Sequence, residues 1–553
     1  MNKILFSLKK DALPLTDEEI LDHPLFDRLL NSYFKESEKS ERPNSAYYRE
    51  YGARTAKVFL RHILTGDERT KAFLKGLSMQ KRDDLLNLID SLYDFYRQKE
   101  RYVLYENDKG KKITHREFVL LFEKLSERLV SFYRDIYETV YGKEQTVYRI
   151  LPSGGNAGIL LCRRPLSLPK NLSFLGRIPL MEAVVSDPPF LLKTRENKRK
   201  GLFQEKKRRV KMEDFDLRHS HGVIIDVYDQ RGLLYFDDEY LGFLVALGNL
   251  FQIEPSTSAN DKNFDFILLF GTENTGERCY YYKEGGTYVG VCPKKAQIDY
   301  FGYAKKMILT LFNLTMIDRQ SLPIHGAGVR IRKKEKTKNF FFLGDSGAGK
   351  SETLEAMRNL CKGEYQIDTI FDDMGTFHLI HDRVYATGTE IGAFVRLDDL
   401  DQGYSLKSAD RAVYFNIEEE NSRVVIPIED YETTYTFHPV DAFLLADNFT
   451  DSNRGIKIYH NIEEAISDFS KGERVALNTT SEQGKVSTYF ANPFGPVQRK
   501  KDVELFLPDY FHALFEGHVP VGKLFTRLSL DRKNGPKEGA KALLRLFDKL
   551  PED

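Results

Sequence analysis

Gly344-Asp345-Ser346-Gly347-Ala348-Gly349-Lys350-Ser351 is the stretch on which the reading of this chain turns. It satisfies G-x-x-x-x-G-K-[ST], and its flanks suit the motif. Asn339–Leu343 (NFFFL) reads as a buried strand, and Ser351–Cys361 as a helix with Leu354 and Met357 available for packing. A glycine-rich turn from strand to helix aims successive backbone N–H groups, and the positive end of the helix dipole, at one anion. Lys350 then reaches the outer phosphates of a nucleoside triphosphate, and the Ser351 hydroxyl meets the metal that travels with it. Downstream, Tyr365–Phe371 reads as a second strand ending in Asp372-Asp373, where such a fold needs a carboxylate for the metal.

Around this motif lie 553 residues in which 82 Lys+Arg balance 82 Asp+Glu, so no global charge draws the chain to nucleic acid or to an anionic membrane. The length implies roughly three or four folding units, each able to bury a core. Hydrophobic content of 41% and charged content of 30% exclude disordered and fibrous classes. Cys162, Cys279, Cys292 and Cys361 are scattered without a C-x-x-C pair, which argues against a zinc site and a secreted disulfide framework. The apolar stretch Ile4–Leu8 is too short for a signal segment, and Tyr240–Phe251 falls short of a membrane span. A cytoplasmic setting is expected, with no nucleic-acid or membrane partner.

The texture changes along the chain. Residues 1–145 read as a helical region: Leu85, Leu88, Ile89, Leu92 and Tyr96 recur at helical spacing, as do Phe118, Leu121, Phe122, Leu125, Leu129 and Phe132, with Thr114 and Glu117 as a capping box. Its protein partner, if it has one, is not written in the sequence. Residues 146–325 read as a mixed α/β lobe with strands such as Gly158–Cys162, Gly222–Val227 and Phe264–Phe270, and 326–553 as the phosphate-loop lobe. Gly-Gly-Asn-Ala-Gly at 154–158 reads as a turn. Between Lys193 and Lys211, ten Lys/Arg stand against two acids, which reads as a solvated loop.

Further segments narrow the class. Tyr300-Phe301-Gly302-Tyr303-Ala304-Lys305-Lys306 resembles the Tyr-x-Gly-x-x-Lys-Lys motif of ATP-dependent phosphoenolpyruvate carboxykinases. His325, in Pro-Ile-His-Gly-Ala, stands where that family has a metal-binding histidine. Glu420-Asn421-Ser422-Arg423-Val424-Val425-Ile426-Pro427 is similar to its Glu-Asn-x-Arg-Val-x-Tyr-Pro segment. Leu445-Ala446-Asp447-Asn448-Phe449 and Phe490-Ala491-Asn492-Pro493-Phe494 resemble two more, in the same order, so the likeness runs over about residues 300–540.

The resemblance implies a two-lobe α/β carboxykinase-like architecture with an added helical N-terminal region. It implies a gluconeogenic lyase that turns oxaloacetate and ATP into phosphoenolpyruvate, carbon dioxide and ADP. Lys306, His325 and Asp373 would bind Mn²⁺, with Asp372 beside them, and Ser351 would serve a Mg²⁺ on the nucleotide. Arg423 would neutralise the transferring phosphoryl group, Tyr300 would line the carbon dioxide pocket, and Arg177, in Gly176-Arg177-Ile178-Pro179, would grip the oxaloacetate carboxylates, with Arg163 and Arg164 as competitors. A lysine ligates only when neutral, so Lys306 must sit below its ordinary pKa, and Lys305 acts in that direction.

The chain also departs from that family. Its phosphate loop is closer to that of HPr kinase/phosphorylase, and an acid at 345 costs Coulomb energy beside phosphates unless it faces a cation or serves as a base. Ser481-Glu482-Gln483-Gly484 replaces the family's adenine-contacting Thr-Glu-Arg-Gly. Two alternatives therefore stand beside the carboxykinase: a kinase of the same fold that phosphorylates a protein or small-molecule hydroxyl, with Asp345 or Asp372 as base, and a non-catalytic nucleotide-binding scaffold.

Overall fold

A computed structural model describes residues 3–8, 14, 16–37, 52–107, 112–148, 156–254, 263–361, 363–397, 410–428, 431–477 and 483–552. The protein is mixed α/β and divides into two compact units. One is Met1–Arg164 with Pro179–Leu192; the other is Pro165–Ile178 with Lys193–Asp553. The first thus extends past residue 145, and the second runs without a break across residue 325.

In the first unit, helices Met79–Arg97 and His115–Tyr141 bury the stripes their spacing implies, including Leu85, Leu88, Ile89, Phe118, Phe122 and Leu125. Thr114 caps the longer helix: its side chain accepts from Glu117 N, and the Glu117 carboxylate accepts from Thr114 N at 2.7 Å. The region expected to be helical also contains strands. Lys3–Leu8 runs parallel to Glu100–Asn107, which runs parallel to Ala157–Cys162. Ile4 and Phe6 turn inward in alternation, a period too short to read in six residues. Of the expected turn at 154–158, residues 154 and 155 lie outside the described residues.

The second unit contains two larger sheets. In one, Gln230–Asp237, Phe266–Thr272 and Thr287–Pro293 lie side by side and parallel, flanked by the antiparallel strands Ser220–Val227 and Tyr280–Glu284. Helix Phe301–Asp318 packs on Phe266–Thr272 and Thr287–Pro293 and also on strand Leu322–Lys333 of the other sheet. It is apolar almost all round, as befits a helix covered on every side.

Among the described residues, that other sheet has eight strands. Leu322–Lys333 is antiparallel to both Lys336–Leu343 and Gln366–Ile380, while Lys336–Leu343 continues parallel into Ala442–Asp447 and then Val521–Phe525. Both faces are covered. Phe341 and Leu343 join a core with Phe371, Phe443 and Phe511, while Phe340 and Phe342 join Leu354, Met357, Leu444 and Phe547. This is why the strand reads as an unbroken apolar run.

One expected element differs. The strand thought to end at Asp372-Asp373 runs on to Ile380, so both carboxylates stand within it. The ladder shifts register between Gly328 and Val329, opposite this stretch, and Asp373 takes φ +98°. An Asp pair reads as a turn from sequence because Asp tolerates positive φ, but here that tolerance is spent on a kink inside the sheet. Among the described residues, no helix is long and apolar enough to cross a membrane.

Candidate functional site

The phosphate loop and the groups that gather around it belong to the second unit. Gly344–Gly349 links strand Lys336–Leu343 to helix Lys350–Leu360, with Gly347 and Gly349 at φ +80° and +89°. A Cβ on Gly349 would lie 2.4 Å from Thr526 Oγ1, so glycine is required there for space as well as for backbone angle. The loop is pinned from outside: Thr526 Oγ1 donates to Ala348 O at 2.7 Å, and Asn448 Nδ2 donates to Gly347 O at 2.9 Å and to Val475 O at 2.8 Å. Lys350 is buried, and its Nζ donates to Gly344 O at 2.5 Å and Asp345 O at 3.3 Å. Ser351, the second residue of the helix, is exposed.

Lys305 and Lys306 stand near the N-terminus of helix Phe301–Asp318, where the helix dipole disfavours cations. Carboxylates offset this. Asp373 Oδ2 accepts from Lys305 Nζ at 2.8 Å and from Lys306 Nζ at 2.5 Å, and Glu390 Oε1 lies 2.9 Å from Lys305 Nζ. Burial pulls the Lys305 amine down, but Asp373 and Glu390 outweigh it and hold the amine above the ordinary lysine value. Lys306 goes the other way: burial, helped by Lys305, holds it below that value against the pull of Asp373. Burial pushes Glu390 up to about 7, against the opposing pull of Lys305. Burial also works against the Asp373 carboxylate, but Lys305, Lys306 and His325 prevail and keep it well below the usual carboxylate range.

His325 is buried on strand Leu322–Lys333. Its Nδ1 lies 3.0 Å from Ala491 O, and since a carbonyl only accepts, Nδ1 carries the hydrogen. Nε2 then faces Asp373 Oδ1 at 3.0 Å. Ala491 presents its carbonyl from a tight turn in which Phe490 and Ala491 both have positive φ. Phe494, at the end of the same segment, is the ring around which the site gathers: Lys306 Nζ lies 4.7 Å from its centroid, the Arg199 guanidinium 5.0 Å, and the His325 ring 5.7 Å.

Tyr300 is buried at the start of the helix, its ring 5.8 Å from that of Phe394, and the Arg423 guanidinium lies 5.8 Å from the same Phe394 ring. Burial raises the Tyr300 hydroxyl, while Arg423, Lys305 and Arg199 pull it down, which places three cations in its field. Among the described residues, Arg423 Nε is buried without a hydrogen-bond partner. Asp372 lies in the electrostatic field of both halves of the site: burial and Asp373 push its carboxyl up, and Lys350 and Lys305 oppose them.

Asp345 does face a cation. Its Oδ2 accepts from Arg474 Nη2 at 2.9 Å, and its Oδ1 accepts from Ser346 N at 2.7 Å. Burial works against this carboxylate, but His325 and Arg474 hold it below its ordinary value.

Lys306, His325 and Asp373 therefore converge, and Tyr300, Arg423 and the phosphate loop are joined to them through shared neighbours. Arg177 is placed differently: it is exposed at the end of the short helix Lys170–Arg177. In the first unit, Arg163 pairs with Glu106 and Arg164 with Glu182. The arginine beside the converging groups is Arg199, the one half-buried cation of the ten between Lys193 and Lys211; the other nine are exposed. Arg199, Glu390 and Arg474 were not singled out from sequence. The only signal was weak for Arg199, an aromatic Phe203 four residues on, and absent for the other two. Ser481 and Glu482, expected near the adenine, lie outside the described residues.

Among the described residues, no three His, Cys, Asp or Glu side chains gather as a metal-binding group by themselves. A cation here would need the Lys306 amine as its third donor. No model of a known protein family matches the chain, and no curated protein matches it.

Proposed function

We propose that this chain is an ATP-dependent phosphoenolpyruvate carboxykinase-like enzyme, of carboxykinase-like architecture in its second unit. The observation that carries this reading is the convergence of an amine held below its ordinary pKa, an imidazole Nε2 and a carboxylate, beside a phosphate loop. The donors suit a divalent cation such as Mn²⁺. His325 gives its Nδ1–H to Ala491 O, so Nε2 is the nitrogen turned toward Asp373, where a cation entering between the two would take the place of their hydrogen bond, and Asp373 is held ionised. Such a cation, when bound, lends positive charge to the enolate oxygen left by decarboxylation.

The chain's own groups do the rest in this reading. Lys350 leaves Gly344 O and Asp345 O to meet the β- and γ-phosphates of ATP, and the Ser351 hydroxyl serves the Mg²⁺ of the nucleotide. The bond from the departing carboxylate to its carbon breaks, carbon dioxide leaves, and the enolate oxygen attacks the γ-phosphorus, releasing ADP. Arg423, with its unpartnered Nε, neutralises the phosphoryl group in flight. Arg199 is better placed than Arg177 to take an oxaloacetate carboxylate, because it sits over Phe494 with Lys306.

Purified protein with Mn²⁺ and ATP is expected to form phosphoenolpyruvate from oxaloacetate, and His325→Ala to lower the rate by about a thousandfold. One alternative is a kinase acting on a hydroxyl, with Asp372 as base: burial and Asp373 push its carboxyl up, in the direction a general base needs, against the pull of Lys350. No phosphoenolpyruvate, but labelled phosphate on a hydroxyl acceptor, would reject the carboxykinase in favour of that kinase.

A further inference from the structure

Asp345 occupies a position in the phosphate loop where a negative charge opposes phosphate binding, yet it is built in firmly. Its Oδ1 takes the Ser346 N–H at 2.7 Å, one of the groups that would otherwise cradle a phosphate. Its Oδ2 is clamped by Arg474 at 2.9 Å, and the Arg474 side chain is only 3% exposed. Arg474 comes from the ribbon Glu473–Val475 with Lys485–Ser487, which Asn448 ties to the loop through Gly347 O and Val475 O. The same Asp345 Oδ1 lies 3.5 Å from His325 Nδ1, on the side of the ring away from Asp373.

We propose that Asp345 is a positioning residue that links the two halves of the site: it holds its charge 3.5 Å from the His325 Nδ1 whose hydrogen Ala491 O accepts, while occupying the phosphate loop under the hold of Arg474. The link rests on the cation site of the proposed function. A carboxylate behind a metal-ligating imidazole fixes its tautomer and makes the opposite nitrogen a better donor. That carboxylate usually comes from an inert wall. Here it comes from the nucleotide loop, so one charge favours the cation and disfavours the triphosphate, and Arg474 sets the balance. A nucleotide that draws Ser346 N–H and Arg474 to its phosphates changes the field at His325, and by linkage a bound cation changes nucleotide affinity in return.

The test measures two affinities on the full chain: Mn²⁺ without nucleotide, by the electron paramagnetic resonance of free Mn²⁺, and ATP in EDTA, by calorimetry. Asp345→Asn is expected to weaken Mn²⁺ about tenfold and to tighten ATP about fivefold. Arg474→Gln, which leaves the carboxylate uncompensated, is expected to weaken ATP about fivefold and to change Mn²⁺ affinity less than twofold. The link is overturned if Mn²⁺ affinity is unchanged in Asp345→Asn, or if both variants move ATP affinity in the same direction. Wild-type protein that takes up no Mn²⁺ overturns the cation site of the proposed function, and the link with it.

Discussion

Gly326 shows how narrow the tolerances around His325 are. A Cβ there would stand 1.7 Å from Phe342 O, because the strand is squeezed between Lys336–Leu343 and the kinked stretch at Asp373. Gly326→Ala is expected to destabilise the fold by more than about 4 kcal/mol, measured by denaturant unfolding; a loss below half of that would show that the sheet can yield. Glu390 supplies a pH signature. Burial raises its folded pKa to about 7 from an ordinary 4.5, so its contribution is full below the unfolded value and is lost as pH rises toward 7. Glu390→Gln has no proton to lose. The Tm of the variant minus that of wild type should therefore climb between pH 4.5 and about 7 and then level off. A flat difference would mean that Glu390 titrates normally. At this scale the sequence was legible only where a motif framed the residue. Lys306, His325 and Asp373 stood in quotable segments, whereas a single Glu390 or Arg474 looks like any surface charge until folding buries it.

Elements were easier to read where a period or a cap repeated itself. Helix His115–Tyr141 was visible in its stripe and in Thr114 and Glu117, and both capping hydrogen bonds form. Thr114→Ala is expected to cost about 1 kcal/mol, with Thr114→Ser nearly neutral, in thermal unfolding followed by circular dichroism. Equal losses from the two changes would remove the cap as the cause. Strand Lys336–Leu343 and the helix after it were legible for the same reason: motif and hydrophobic pattern agreed. Two elements were not. Lys3–Leu8 offers too few residues to show alternation, and Gln366–Ile380 hides its second half behind an Asp pair whose local preference is a turn. Neighbouring strands decided that outcome, and no local window contains them.

For the molecule as a whole, the candidate site and the phosphate loop belong to one compact unit, Pro165–Ile178 with Lys193–Asp553. A ligand that binds only the folded form stabilises it by about 2.7 kcal/mol at a hundred times its Kd. Calorimetry with ATP is expected to raise the transition of that unit by about 2–4 °C for each kcal/mol gained, and Lys350→Ala to abolish the shift. A shift that survives in Lys350→Ala would place nucleotide binding elsewhere. The division into units was harder to read from sequence than the elements were. Residues 165–178 fold with the later chain although they precede 179–192, and such an interleaving leaves no compositional trace.

The engagement of Lys350 with Gly344 O and Asp345 O has one more consequence. An ammonium already solvated by its own backbone is a threshold for any newcomer. Chloride or acetate, with a single diffuse charge, offers too little to draw it out, whereas a polyphosphate concentrates enough charge to replace both carbonyls at once. Under the proposed function, the loop would thereby screen its visitors by charge density before shape or base identity enters, and would stay quiet in any saline solution that lacks them.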